Sequence, residues 1–116
     1  MKKIFSIFVC LLCLLSMAFP VQAETRLQKT NRFMVMAKQQ GVVRKIETDS
    51  TFSIAPYMIY VNPYIWNSMN IDQKNTTAYF FWDYSNVRYP KSEFAGIIDY
   101  QTGNRIGIGS KSGFSN

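Results

Sequence analysis

The chain is predicted to fold as an α+β domain: an N-terminal helix, then β-β-α-β-β, with one antiparallel sheet of about four strands and helices on one face. Three observations carry this expectation. Residues 25–40 place apolar side chains at helical spacing. Residues 58–74 run from a strand-like segment through a proline into helix-start chemistry. Residues 93–110 form two strand-like runs joined through a glycine.

An export signal precedes these elements. Lys2 and Lys3 lead into an apolar run, Ile4 to Phe19, and Val21-Gln22-Ala23 offers the small residues that suit a signal peptidase. The run is 16 residues long, shorter than the roughly 20 that a spanning helix needs. Residues 1–23 are therefore expected to be a cleaved secretory signal peptide, leaving no stable transmembrane anchor. Residues 24–116 are expected to form a single small domain, in the bacterial periplasm or outside the cell. Cys10 and Cys13 both lie in the signal, and Val9 and Leu12 before them are not the small residues that would suit a lipid anchor. The domain that remains has no cysteine and must rely on its apolar core. Both tryptophans, all seven tyrosines and six phenylalanines are there to build it.

Thr25 to Gln40 is the first helix, with Leu27, Met34 and Ala37 near one face, Phe33 and Met36 widening it, and Gly41 placed to cap its end. Val42 to Glu47 alternates as a strand, and Thr48-Asp49-Ser50 supplies turn chemistry. A second strand is expected from Phe52 to Val61, interrupted near Pro56 and best defined from Tyr57 onward. Pro63 suits the first turn of a helix, and Tyr64, Ile65, Trp66 and Met69 fill one or two turns.

Asn70 or Asp72 can start a further helix running to about Tyr84. Tyr79-Phe80-Phe81-Trp82 has strand preference, yet Ile71, Asn75, Ala78 and Trp82 fall at helical spacing behind clear start signals, so helix is expected. Ser85 to Ser92, with Pro90, is expected to be a loop. Glu93 to Tyr100 and Asn104 to Ser110 form a hairpin with Gly103 at a positive-φ position. Gly107 and Gly109 leave bare backbone on one face of its second strand, for a helix or ring packing closely or for a ligand; close packing is the favoured reading.

The absences are informative about chemistry. The sequence has no histidine, and no cysteine beyond residue 13, which removes histidine acid-base catalysis, cysteine nucleophiles and the usual zinc ligand sets. Neither a phosphate-cradling loop nor a dinucleotide fingerprint occurs. The acids of the domain are Glu24, Glu47, Asp49, Asp72, Asp83, Glu93 and Asp99. Asp72 and Asp83 on one helix would lie about 16 Å apart, too far for a pair of glycosidase carboxylates. No catalytic residue, cofactor or metal is assigned, and the chain is not expected to be an enzyme.

Tyr64 and Trp66 are the candidate contacts for a partner or ligand, since tryptophan and tyrosine stack on sugars and anchor interfaces. Trp66 and Met69, three residues apart, also fit the core face of a short helix, and that is the favoured reading of Trp66. Loss of Lys2 and Lys3 lowers the net charge from +6 to +4, and residues 24–45 carry Arg26, Lys29, Arg32, Lys38, Arg44 and Lys45 against Glu24 alone. Arg26, Lys29 and Arg32 recur along the first helix; they form a solvated face or meet an envelope protein, an anionic glycan or a lipid surface. Nucleic acid is not an expected partner, because the remaining cations are scattered and the export signal removes the chain from it.

Val61-Asn62-Pro63, Trp66-x-x-Met69, Asp72-x-Lys74, Asp99-x-x-Thr102-Gly103-x-x-Ile106-Gly107 and Gly113-Phe114 occur in that order. This pattern resembles a group of small exported bacterial proteins of unknown function, from about Gly41 to the C-terminus. The resemblance implies export, a strand pair, an aromatic turn, a lysine-led helix and a final hairpin, and it implies no activity. The expected function is a non-catalytic binding or protein-interaction module of the cell envelope. An inhibitor or immunity-type protein acting on an envelope enzyme is the alternative, and a carboxylate-dependent hydrolase is the third.

Overall fold

The computed structural model describes residues 24–49, 51 and 54–116. The expected signal peptide at 1–23, Ser50 of the expected turn, and Phe52 and Ser53 of the expected second strand lie outside the described residues. Three helices and five strands follow one another among the described residues: α1 (Arg26–Gln39), β1 (Val43–Thr48), β2 (Tyr57–Val61), α2 (Pro63–Ser68), α3 (Ile71–Arg88), β3 (Ala95–Asp99), β4 (Arg105–Ser110) and β5 (Gly113–Ser115).

Local chemistry sets the helix ends. Thr25 caps α1 in a reciprocal box with Gln28, and Asn70 caps α3 in the same way with Gln73. Asp72 stands in the first turn of α3, where its charge favours the helix dipole. At the other end of α1, Val42 N–H donates to Ala37 and Gly41 N–H to Lys38. Gly41 has φ +78°, so the chain leaves the helix through a left-handed residue that satisfies two orphan carbonyls. Pro63 opens α2, while Asn62 Oδ1 accepts from Tyr64 N–H at 2.9 Å.

The sheet is mixed, not antiparallel throughout, and it has five strands, not about four. Its order is β1-β2-β3-β4-β5, with β2 and β3 parallel and every other pair antiparallel. The reason is the crossover. An 18-residue α3 is about 27 Å long, enough to carry the chain back along the sheet, so β3 starts beside the start of β2 and runs the same way. The fifth strand is the short return after Lys111 and Ser112, enabled by Gly113 at φ +102°. Asn75 Oδ1 of α3 accepts from Phe114 N–H at 3.0 Å, occupying an edge donor that has no strand beside it.

α3 also outruns its expected end at Tyr84 and takes in Ser85 to Arg88, the first half of the expected loop, while residues 89–92 stay outside the helix. Ser85 and Ser92 hydroxyls meet at 2.6 Å, Asn86 Nδ2 donates to the carbonyls of Pro90 and Ser92, and Trp82 Nε1 donates to the Ser92 carbonyl at 3.1 Å. These bonds tie residues 90–92 back onto the helix, so side chains that favour loops by themselves find their partners within it. Tyr79 to Trp82 is helical, as their spacing predicts.

The core gathers Phe33, Met34 and Ala37 of α1, Ile59 and Val61 of β2, Ile65 and Trp66 of α2, Ala78 and Phe81 of α3, and Ala95 and Ile97 of β3. Phe33 stacks on Phe80 at 4.8 Å and meets Phe81 edge-on at 6.0 Å. Trp66 stacks on Phe81 and takes the edge of Phe114 at 5.3 Å. The alternate glycines of β4 are what let α3 and β5 close over this layer. A Cβ on Gly109 would stand 2.3 Å from the Ala78 carbonyl oxygen, and one on Gly107 would stand 2.6 Å from the Phe114 ring. Neither separation is possible without moving backbone or ring.

Gly109→Ala is therefore expected to destabilise the fold by about 1–3 kcal/mol, and to lower the melting temperature by about 4–8 °C per kcal/mol. Thermal unfolding followed by circular dichroism checks this, and an unchanged midpoint would rule out so close an approach of α3 to β4. A pH effect is also expected at Tyr57, which meets Tyr84 and Tyr89 edge-on at 5.5 and 5.6 Å. Burial, then the neighbouring Tyr84, raises the Tyr57 phenol above its ordinary value. The unfolded chain then loses this proton first, so stability is intact below about pH 10 and falls as pH rises toward the folded value. Tyr57→Phe should flatten that alkaline fall, as measured by urea unfolding across pH 8 to 11.

Candidate binding site at the strand ends

Three chain segments far apart in sequence end at one corner of the sheet. β1 runs antiparallel to β2 with Val43 opposite Val61, and β2 runs parallel to β3 with Val61 opposite Asp99. Asn62 N–H donates to the Val42 carbonyl and Tyr100 N–H to the Val61 carbonyl, both at 3.0 Å. The start of β1 and the residues just after β2 and β3 are thereby held side by side. The carboxyl ends of neighbouring parallel strands are a favoured place for ligand clefts in open sheets.

A cleft of about 220 Å³ opens at this corner, lined by Arg44, Asn62, Pro63, Tyr64, Tyr100 and Gln101. Tyr64 is 65% exposed and Tyr100 44% exposed. The Arg44 guanidinium lies over the Tyr100 ring, 5.0 Å from its centre, a geometry that orients the cation at little entropic cost. Arg44 sits where the β1–β2 register shifts, between Val43 opposite Val61 and Lys45 opposite Tyr60. Such a bulge turns a side chain away from simple alternation. On its other side Arg44 borders a second concavity of about 460 Å³, lined also by Lys38, Gly41, Val43, Lys45 and Ile46.

Among the described residues, no carboxylate lines either concavity. Asp99, the nearest in sequence to Tyr100, turns its Oδ1 into its own turn and accepts from Gln101 N–H at 2.7 Å and Thr102 N–H at 3.2 Å. Glu47 accepts from the Tyr60 hydroxyl at 2.6 Å and from Lys45 Nζ at 3.4 Å. Those two bonds, the tyrosine's first, lower its carboxyl below the ordinary range, and the same contact raises the Tyr60 phenol. Arg44 has no salt bridge among the described residues. The cleft is thus rich in donors, cationic and walled by two rings.

The residues named from sequence are placed apart. Tyr64 lies in this cleft. Trp66 does not: it is 0% exposed, stacked on Phe81 and met edge-on by Phe114. Pro63 starts a helix whose first turn points Tyr64 outward, while Trp66, two residues on, faces the core. Arg26, Lys29 and Arg32 line neither cleft at the corner. Arg26 pairs with the buried Asp83, donates to Asn86 Oδ1 at 2.9 Å and lies 5.6 Å over the Trp82 ring. Lys29 lies 5.6 Å over Phe80, and Arg32 pairs with Glu24 at 2.8 Å. Arg26 and Lys29 thereby reach from α1 to α3, and Arg32 reaches the residue that leads into α1.

Tyr100 and Arg44 were not singled out by sequence reasoning. Tyr100 follows a strand and precedes a turn, and Arg44 was one cation of six. A further depression of about 400 Å³, lined by Trp82, Asn86, Ser92, Glu93 and Lys111 among others, lies between α3 and the β4–β5 turn. Glu93 is its single carboxylate. Among the described residues no group of three or more histidine, cysteine, aspartate or glutamate side chains could hold a metal ion, and no helix is long and apolar enough to cross a membrane. Comparison with family models, curated proteins and solved structures finds no match for the chain.

Trp66→Ala is expected to cost about 3–5 kcal/mol, a large share of the roughly 5–15 kcal/mol such a domain holds. Tyr64→Ala should change stability by less than about 0.5 kcal/mol. Urea unfolding of the two variants side by side checks the assignment, and comparable losses would place Tyr64 in the core as well.

Proposed function

We propose that the chain is a small exported, non-catalytic binding module of the bacterial cell envelope, acting through the cleft at Arg44, Tyr64 and Tyr100. The observation that carries this reading is the juxtaposition of two exposed tyrosine rings and an arginine without a salt bridge among the described residues, at a corner built by three strand ends. Exposed aromatic side chains held by a rigid sheet are how binding sites obtain contact area at low entropic cost. Export rests on the charged, apolar and small-residue zones of residues 1–23.

The non-catalytic part of the reading rests on the carboxylates. Hydrolysis without histidine or cysteine calls for two carboxyls across a cleft. Here Glu24, Glu47, Asp49, Asp83 and Asp99 each have a partner within the molecule, and the described clefts contain Glu93 alone.

The reading is tested by expressing the full chain in a bacterial host, fractionating the cells and incubating the recovered protein with isolated envelope material. The protein is expected outside the cytoplasm with Glu24 as its first residue by mass spectrometry, and to co-sediment with the envelope fraction. The double variant Tyr64→Ala, Tyr100→Ala should lose at least about tenfold in affinity with its melting temperature unchanged. Retention of residues 1–23, or undiminished co-sedimentation of the variant, would overturn the corresponding half of the proposal.

A further inference from the structure

The cleft's lining also speaks to the class of its ligand, and this step rests on the cleft being the binding site. We infer that it takes an acidic polysaccharide, with one sugar ring between Tyr64 and Tyr100 and an anionic substituent on Arg44. At about 220 Å³ the cleft is smaller than the 300–1,000 Å³ typical of sites that swallow a whole small molecule. It suits one unit of a chain whose neighbouring units continue outside. A sugar ring, with an apolar face and a polar rim, suits a cleft lined by two exposed tyrosines, whose side chains combine an aromatic ring with a hydroxyl. Asn62 spends its Oδ1 on the first turn of α2, which leaves its amide nitrogen to donate, and the Gln101 side chain stands at the same rim.

Charge selects among carbohydrates. The guanidinium of Arg44 has a forked donor geometry that matches carboxylate or phosphate oxygens, and no acid in the lining competes for it. The neighbouring concavity that Arg44 also lines adds Lys38, whereas Lys45 beside it already pairs with Glu47 at 3.4 Å, so an acidic chain passing Arg44 meets one further cation with no salt bridge among the described residues. Arg44 lines both concavities and so joins the aromatic cleft to the second one. A neutral glycan would gain nothing from the charge of Arg44.

The alternatives fit less well. Binding to an anionic membrane surface rewards clusters of about four to eight basic residues near the lipid, whereas this corner is concave and holds three, of which Lys45 pairs with Glu47. A peptide adding as a strand needs an unbroken row of edge donors and acceptors. β1 is an edge strand of the sheet, and the register shift at Arg44 interrupts that row.

The test uses the protein recovered from the exporting host and isothermal titration with tetragalacturonate, 6-phosphomaltotetraose, neutral maltotetraose and inorganic phosphate, with sedimentation on phosphatidylglycerol–phosphatidylethanolamine vesicles. At least one acidic tetrasaccharide is expected to bind at least about tenfold more tightly than maltotetraose and than inorganic phosphate, weakening as salt rises. Arg44→Gln should abolish that preference, Arg44→Lys should restore only part of it, and Tyr64→Ala should weaken every oligosaccharide. Equal binding of neutral and acidic chains, phosphate binding as tight as that of the phosphorylated chain, or vesicle binding sensitive to Arg44→Gln would each overturn the acidic-glycan assignment. Failure of every oligosaccharide, while envelope co-sedimentation stays dependent on Tyr64 and Tyr100, would overturn this inference and leave the cleft as the binding site. Loss of that dependence as well would remove the cleft itself.

Discussion

The contact on which the rest of the structure depends is the close passage of α3 over β4, where the Ala78 backbone crosses Gly109. Ala78 is fully buried, and a single methyl on the glycine would collide with its carbonyl. Because α3 lies this low, Phe81 reaches Trp66 and Phe33, and Asn75 reaches the backbone of Phe114. The same helix returns the chain across the sheet and makes β2 and β3 parallel. Parallel neighbours finish at the same end, and that shared end is where the cleft opens.

Much of the molecule's positive charge and aromatic surface is used internally. α1 places Arg26 and Lys29 over Trp82 and Phe80, and Arg26 neutralises the buried Asp83. Leaving Asp83 unpaired in that position would be costly, so this ion pair joins the two long helices for a reason of its own. A basic helix face that looks free for a partner in the sequence is therefore largely committed once α3 is packed against it. Arg44 differs because the register shift in β1 separates it from the alternation of its strand.

The helices were the most legible part of the fold. Thr25 with Gln28, Asn70 with Gln73, Pro63 and Gly41 are local signals, each acting within a few residues, and each has the role that its chemistry implies. Gly107 and Gly109 could be read as sites of close packing, which they are. Strand direction and number were not legible, since antiparallel and parallel ladders use the same residue types. β5 has only three residues and draws its order from β4 and Asn75, so no pattern of its own announces it. The end of α3 was missed because Ser85 and Asn86 resemble loop residues until Ser92 and Pro90 are beside them.

Of the candidate site, Tyr64 could be found from sequence, because an aromatic residue next to a helix-opening proline has a predictable environment. Trp66 could not be assigned to core or surface by spacing alone, and it needed Phe81 and Phe114 around it. Arg44 and Tyr100 carried no signal, since their meaning lies in pairing across 56 residues of chain. The caps, the turn glycines, the aromatic supply for the core and the want of histidine and domain cysteine can all be read from the residues in line, because each is a property of single residues or close neighbours. Which cations remain free of carboxylates, which aromatic rings face water and where they meet follow from the folded chain, because those depend on strand register and on how low one helix can lie upon the sheet.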